Sequence, residues 1–306
     1  MNKIKKIIII AAIFVLTAAL IPYLIFKSRS VVLIVSEENF ITYYGEDRMK
    51  TELKDISLKL FRPVKTVTVA NDAGNDLAAL AVTEISANPY CVLFPLRFAR
   101  AAKYYIEQNP DIPVVILEGR FPENSTPSSY GIGSGESDYF IYKTDIESDF
   151  YRAAGAALVL DNGQNGRIAV FLEPNILTQA RTAFLQGLND FEKINNSETV
   201  PETLFYTNFS HYSERTDLTC VILAGIGYEF LEKKSKIPLI IFTWLNPLYT
   251  PDSTAVIIDD SPYAQVLNAV NLVVAGEKKG KIPSKFQIKN MQDFDKGTLR
   301  KLTKTW

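Results

Sequence analysis

A chain of 306 residues is longer than one hydrophobic core usually grows, so two α/β lobes are expected. Its 33 basic and 34 acidic residues leave a net charge of −1, which excludes the electrostatic footprint of a nucleic-acid binder. With a single His and two Cys, no metal site and no cofactor is expected.

The amino terminus carries an apolar run, Ile7 to Phe26, with no charge inside it. At ~1.5 Å rise per residue such a run spans roughly 30 Å, the hydrocarbon thickness of a bilayer. Lys3, Lys5 and Lys6 precede it, and Lys27 and Arg29 follow. With the α-amino group they favour a single-pass anchor with a cytoplasmic N-terminus and the bulk periplasmic or extracellular. The alternative is a cleaved signal sequence with Thr17 and Ala19 at the cleavage positions, giving a secreted protein. Residues 1–29 are therefore set aside as the anchor or signal segment.

Beyond the anchor the chain alternates short apolar runs with helical patterns. Strands are expected at Val31–Val35, Val64–Ala70, Tyr90–Phe94, Pro113–Leu117 and Tyr139–Tyr142. Helical spacing places Met49, Leu53, Ile56 and Leu60 on one face, then Leu77, Leu80, Ala81, Val82 and Ile85, then Phe98, Ala101, Ala102, Tyr105 and Ile106. Residues 121–137 are rich in Pro, Ser, Gly and Asn and read as a loop. Asp145 is the expected N-cap of a helix through Ala153, Ala154, Ala157 and Leu158, stopped by Gly163 and Gly166. Arg167–Leu172 is the next strand, and Leu177, Arg181, Phe184, Leu188 and Phe191 share a face of the helix after it. Further strands follow at Glu202–Tyr206, Leu218–Leu223, Ile237–Leu245, Ala255–Ile258 and Phe286–Ile288, with a short helix over Gly227–Lys234. Ser261 as N-cap, Pro262 at the first helical position and Gly276 at the far end delimit the last clear helix.

Alternation at short loop lengths predicts parallel sheets, about ten strands split into two groups of five at Lys143–Asp145. Lobe 1 is expected to take 30–143 plus about 247–282, and lobe 2 to take 144–246 plus about 283–306. Cys91 and Cys220 fall in central strands of different lobes and read as buried, unpaired thiols.

The stretches Gly166–Phe171, with Ala180–Leu188 after it, resemble the second-lobe opening strand and Arg-containing helix of the type I periplasmic-binding-protein fold. Asp145–Asp161, Ile237–Phe242 and Ser261–Gly276 are similar to that family's helix after the first crossover, late strand and returning helix. The resemblance covers Val31 to Ile288. It implies two doubly wound lobes, after one N-terminal transmembrane helix, that close by hinge motion on a small polar solute such as a sugar, nucleoside or amino acid. A transporter or signalling protein in the membrane is the expected partner. The chain departs from the family in having Thr144–Asp145 where an Asp or Asn pair commonly stands, and Phe242-Thr-Trp-Leu-Asn246 where a strand often ends Phe-Asp.

Ligands of open parallel sheets sit beyond the carboxyl ends of the strands. The candidate ligand-binding residues are those just after each strand: Ser36, Asp72, Asn75, Arg97, Glu118, Glu173, Asn175, Trp244 and Asn246. Arg181 joins them because a guanidinium on an apolar stripe offers a forked donor to a carboxylate, phosphate or ribose. Its structural alternative is a stem lying on the core with the head in water. Glu118 and Glu173, facing each other as a carboxylate pair, carry the least favoured reading, an enzyme. The intermediate reading is an interaction or scaffold module that keeps the fold without a ligand; no catalytic residue is expected under either of the first two.

Overall fold

The computed structural model describes residues 20, 23–24, 27–36, 50–70, 74–120, 139–164, 166–195, 200–227, 229–232, 236–243, 253–289 and 296–302. The expected membrane span lies outside them except at Leu20, Tyr23 and Leu24, which are helical. Among the described residues no helix is long and apolar enough to cross a membrane.

In chain order the elements of the first half are β1 (Val31–Ser36), α1 (residues 50–60), β2 (Val64–Val69), α2 (Asn75–Ile85), β3 (Cys91–Pro95), α3 (Ala99–Gln108), β4 (Val114–Gly119) and β5 (Tyr139–Thr144). Then come α4 (Ile146–Asp161), β6 (Arg167–Leu172), α5 (Leu177–Asn195), β7 (Glu202–Tyr206), β8 (Leu218–Ala224), α6 (Glu229–Glu232) and β9 (Leu239–Phe242). The chain continues with β10 (Thr254–Asp259), α7 (Pro262–Ala275), β11 (Lys279–Ile282), β12 (Lys285–Ile288) and α8 (Lys296–Leu302). The strands form two six-stranded sheets, ordered β2-β1-β3-β4-β5-β11 and β7-β6-β8-β9-β10-β12. In each, the opening strand is flanked on both sides by later parallel strands: β1 by β2 and β3, β6 by β7 and β8. The winding direction reverses between β1 and β3 and again between β6 and β8. Each such reversal is a topological switch point.

The chain divides into two compact units. The first holds Met1–Leu117, Pro127–Ile141 and Val266–Lys279, and the second Glu118–Thr126, Tyr142–Gln265 and Gly280–Trp306. The sequence reading sent residues from about 247 to lobe 1, but β10 pairs with β9 in the second sheet, and the chain leaves that unit only within α7. An apolar strand names no sheet; only its hydrogen-bonded neighbours do. β11, Lys-Gly-Lys-Ile, went unpredicted because it has no apolar alternation, and β12 runs antiparallel to β10 in a sheet expected to be parallel.

Central strands are buried throughout, as β3, β9 and β10 show, whereas the edge strand β2 alternates in exposure. The first core lies between its sheet and α2 and α3, around Val32, Ile34, Val92, Phe94, Ile116 and Tyr105. On α2 the buried face is Ala78, Ala79 and Val82; Leu77 and Leu80, expected inside, are exposed. Small residues there let the helix lie close on the sheet. The second core packs α4 and α5 on one face of its sheet, with Phe150 stacked on Phe242 at 4.8 Å. On the opposite face an aromatic group surrounds Phe171: Tyr206, Phe209, Tyr212 and Phe230 lie within 5.0–5.7 Å of it. The helix signals are met where predicted. The Asp145 carboxylate accepts the Ser148 amide at 3.2 Å, and the Ser261 hydroxyl accepts that of Ala264 at 3.4 Å. Cys91 and Cys220 are buried free thiols in different sheets, and burial pushes Cys91 up to about 12.

Candidate functional site

The switch point of the second sheet brings together the carboxyl ends of β6 and β8, followed by Glu173 and Gly225. Glu173 accepts from Arg120, which follows β4: Nη2 to Oε1 at 2.7 Å and Nε to Oε2 at 3.4 Å. The guanidinium thus straddles both carboxylate oxygens. Gly225, at φ +93°, leaves room for the Glu173 side chain; a Cβ there would stand 2.7 Å from Oε1. Arg120 and Glu173 keep 32% and 26% of their side-chain surface, enough for a solute to reach the pair. Charged donors and acceptors held this way are what a polyol or zwitterion hydrogen-bonds.

A second polar group lies deeper, where β5, β9 and β10 end. The Asp260 carboxylate accepts from the hydroxyls of Thr243 at 2.9 Å and Thr144 at 3.3 Å, and the Gln265 amide donates to the Thr144 hydroxyl at 3.0 Å. Thr144, Thr243 and Gln265 are buried, so these contacts hold the first turn of α7 to the strand ends. Thr144 and Asp145, which stand where the family commonly has its polar pair, are both engaged inside the protein, one in this network and one as a helix cap.

The other candidates scatter. Glu118 is buried beside Lys143 at 3.4 Å, so it and Glu173 each face a cation. Ser36 ends β1 opposite Val69, and Asn75 opens α2. Arg97 is exposed with its guanidinium 5.0 Å from the Phe98 ring, and Asn175 is exposed in the turn before α5. Arg181 does not lie on the buried stripe of α5, which is Ala180, Phe184, Leu188 and Phe191; it is exposed, 5.6 Å from the Phe205 ring. A 3.6-residue period leaves Arg181 at the margin of that stripe, where its long stem reaches water. Asp72, Trp244 and Asn246 lie outside the described residues. Sequence reasoning did not choose Arg120, two residues past Glu118, nor Thr144, Thr243, Asp260 and Gln265. The Asp259–Asp260 doublet between a strand and a helix cap was the available signal.

Solved structures with this arrangement are found across most of the chain. A transcriptional activator of the comK gene from Bacillus halodurans superposes with a TM-score of 0.52 at 11% identity, over 90% of this chain and 95% of its own. The chain has the type I periplasmic-binding-protein-like fold. Other chains of this fold align less closely. A periplasmic solute binding protein from Actinobacillus succinogenes 130z, with bound D-allose, gives 0.48 at 12% identity over 87% and 100% of the two chains. An arabinose binding protein from Geobacillus stearothermophilus gives 0.47 at 13% over 87% and 99%. No family model and no curated protein matches the sequence. At these identities the type I likeness is one of fold, and function has to be argued from the site.

Proposed function

We propose that the protein is a non-catalytic receptor for a small polar solute, held at the membrane by Ile7–Phe26, with its two units closing on the solute. The observation that carries this reading is the Arg120–Glu173 pair at the second switch point, accessible and given room by Gly225. The neighbours crystallised with D-allose or described as arabinose binding make pentoses and hexoses the first solutes to test. The full-length chain in detergent is screened by thermal shift against sugars, nucleosides and amino acids. A ligand at about 100 times its dissociation constant stabilises the protein by about 2.7 kcal/mol. Arg120→Ala abolishes that response, while costing at most about 1 kcal/mol of intrinsic stability, since the pair is partly exposed. A response that survives Arg120→Ala removes the pair from the site. Retention of the chain in membranes after alkaline carbonate tests the anchor; full release would count against it.

The rival reading, a scaffold module without a ligand, draws on the internal engagement of Thr144 and Asp145. Silence across the solute screen, together with a specific protein partner, is its expected outcome.

A further inference from the structure

The end of the first sheet at which β1, β2 and β3 begin has features the solute-binding reading does not use. Phe61 is 63% exposed and sits at φ 50°, a backbone region that costs a bulky side chain energy, so two unfavourable features coincide in one residue. Leu58, one turn earlier, is 46% exposed. Around them stand the cations Lys27, Arg29, Lys59, Arg62 and Lys65; of the nearby acids, Asp55 is paired with Lys59 at 2.7 Å, and Glu84 closes α2. Arg62 lies 3.8 Å over the Tyr90 ring. Basic residues mixed with exposed aromatic and aliphatic ones are the composition of a membrane-interface belt.

The chain's course explains why a bilayer is the surface they meet. The Ser28 amide donates to the Leu24 carbonyl at 3.1 Å, so helical bonding reaches Ser28, three residues before Val31 opens β1. From Phe26 to Val31 the backbone extends at most ~17 Å. The junction is also fastened to unit 1. The Ser28 hydroxyl donates to the Phe61 carbonyl at 3.1 Å, and Arg29 donates to the carbonyls of Asn88 at 3.3 Å and Pro89 at 2.5 Å. These contacts tie the emerging chain to the turns that precede β2 and β3.

We infer that this end of unit 1 docks on an anionic phospholipid surface, with Phe61 and Leu58 entering the headgroup layer and Lys27 and Lys65 meeting lipid phosphates. The inference rests on the anchor reading and adds to it a rigid joint in place of a free tether.

The test uses the full-length chain reconstituted into phosphatidylcholine–phosphatidylglycerol vesicles, with Phe61→Trp and, in a second protein, Leu58→Trp as reporters. Leu77→Trp is the control: it is exposed at the start of α2, at the opposite end of a six-residue strand, ~20 Å away. Fluorescence is read as the difference from the parent chain with its native tryptophans. The expected result is a blue shift and loss of most of the reporter emission with lipids brominated near the headgroup, and neither at Leu77→Trp. Lys27→Glu with Lys65→Glu in the Phe61→Trp background restores emission on anionic vesicles. Equal quenching at all three positions, or none at Phe61 and Leu58 in a chain that resists alkaline carbonate, overturns the docking and leaves the anchor standing. Release of the chain by carbonate overturns both.

Discussion

Asp149 shows how much one side chain's surroundings decide. It is buried in the first turn of α4, accepts from the Ser284 amide at 2.8 Å and from the Ser284 hydroxyl, and pairs with Arg152 at 2.6 Å. Arg152 also donates to the Ser284 carbonyl at 3.0 Å, so the link between β11 and β12 is bound to α4 through this group. Burial pushes the carboxyl up from 3.8 to about 7, against the opposing pull of Ser284 and then Arg152. Its folded value is raised above its unfolded one, so between about pH 4 and 7 the native state holds a proton that the unfolded chain releases. Stability therefore falls as pH rises through that window and levels off above it. Asp149→Asn removes this slope: urea midpoints of the variant at about pH 4.5 and about pH 7.5, two conditions chosen to span most of the window, should differ less than those of the parent. An unchanged pH dependence would assign the slope to other groups. Nothing in the sequence around Asp149 distinguishes it from an ordinary first-turn acid at a helix start; its burial comes from a segment about 135 positions away.

At the scale of elements, the pairing of α4 with α5 rests on the absence of side chains as much as on their presence. A Cβ at Gly187 would stand 2.4 Å from the Tyr151 carbonyl oxygen and 2.9 Å from the Ala154 methyl. The obstacle includes backbone, which cannot swing aside. Gly187→Ala gains about 1 kcal/mol of helix propensity, yet overpacking costs about 1–3 kcal/mol or more, and here the second effect wins. A lowered urea midpoint is expected, and a raised one would mean the helices can separate without penalty. Sequence periodicity found both helices and the Asp145 cap, because caps and stripes are local. It could not assign Leu77 and Leu80 to solvent or Arg181 to the edge of its stripe, since which side of a marginal face meets the sheet depends on how closely the helix sits.

For the whole molecule, each unit has its own core, with Phe94 wholly buried in one and Phe184 in the other. Phe94→Ala and Phe184→Ala should each cost about 3–5 kcal/mol, and the double variant should cost their sum, because the two rings belong to different core clusters. Calorimetric unfolding checks this, and a strong departure from additivity would mean the two cores are energetically one. Composition, alternating strand and helix patterns, and the Ser261-Pro262 and Asp145 signals determined by themselves that this is a two-sheet α/β protein; the type I periplasmic-binding-protein likeness came from the resemblance of Gly166–Phe171 and Ala180–Leu188 to that family. Those features follow from local burial and backbone preference, which a sequence carries directly. Only the tertiary structure decided that β10 joins the second sheet, that Lys279–Ile282 is a strand, and that Arg120 meets Glu173 across 53 positions. Such pairings depend on which distant segments end at the same place, and no local pattern of residues records that.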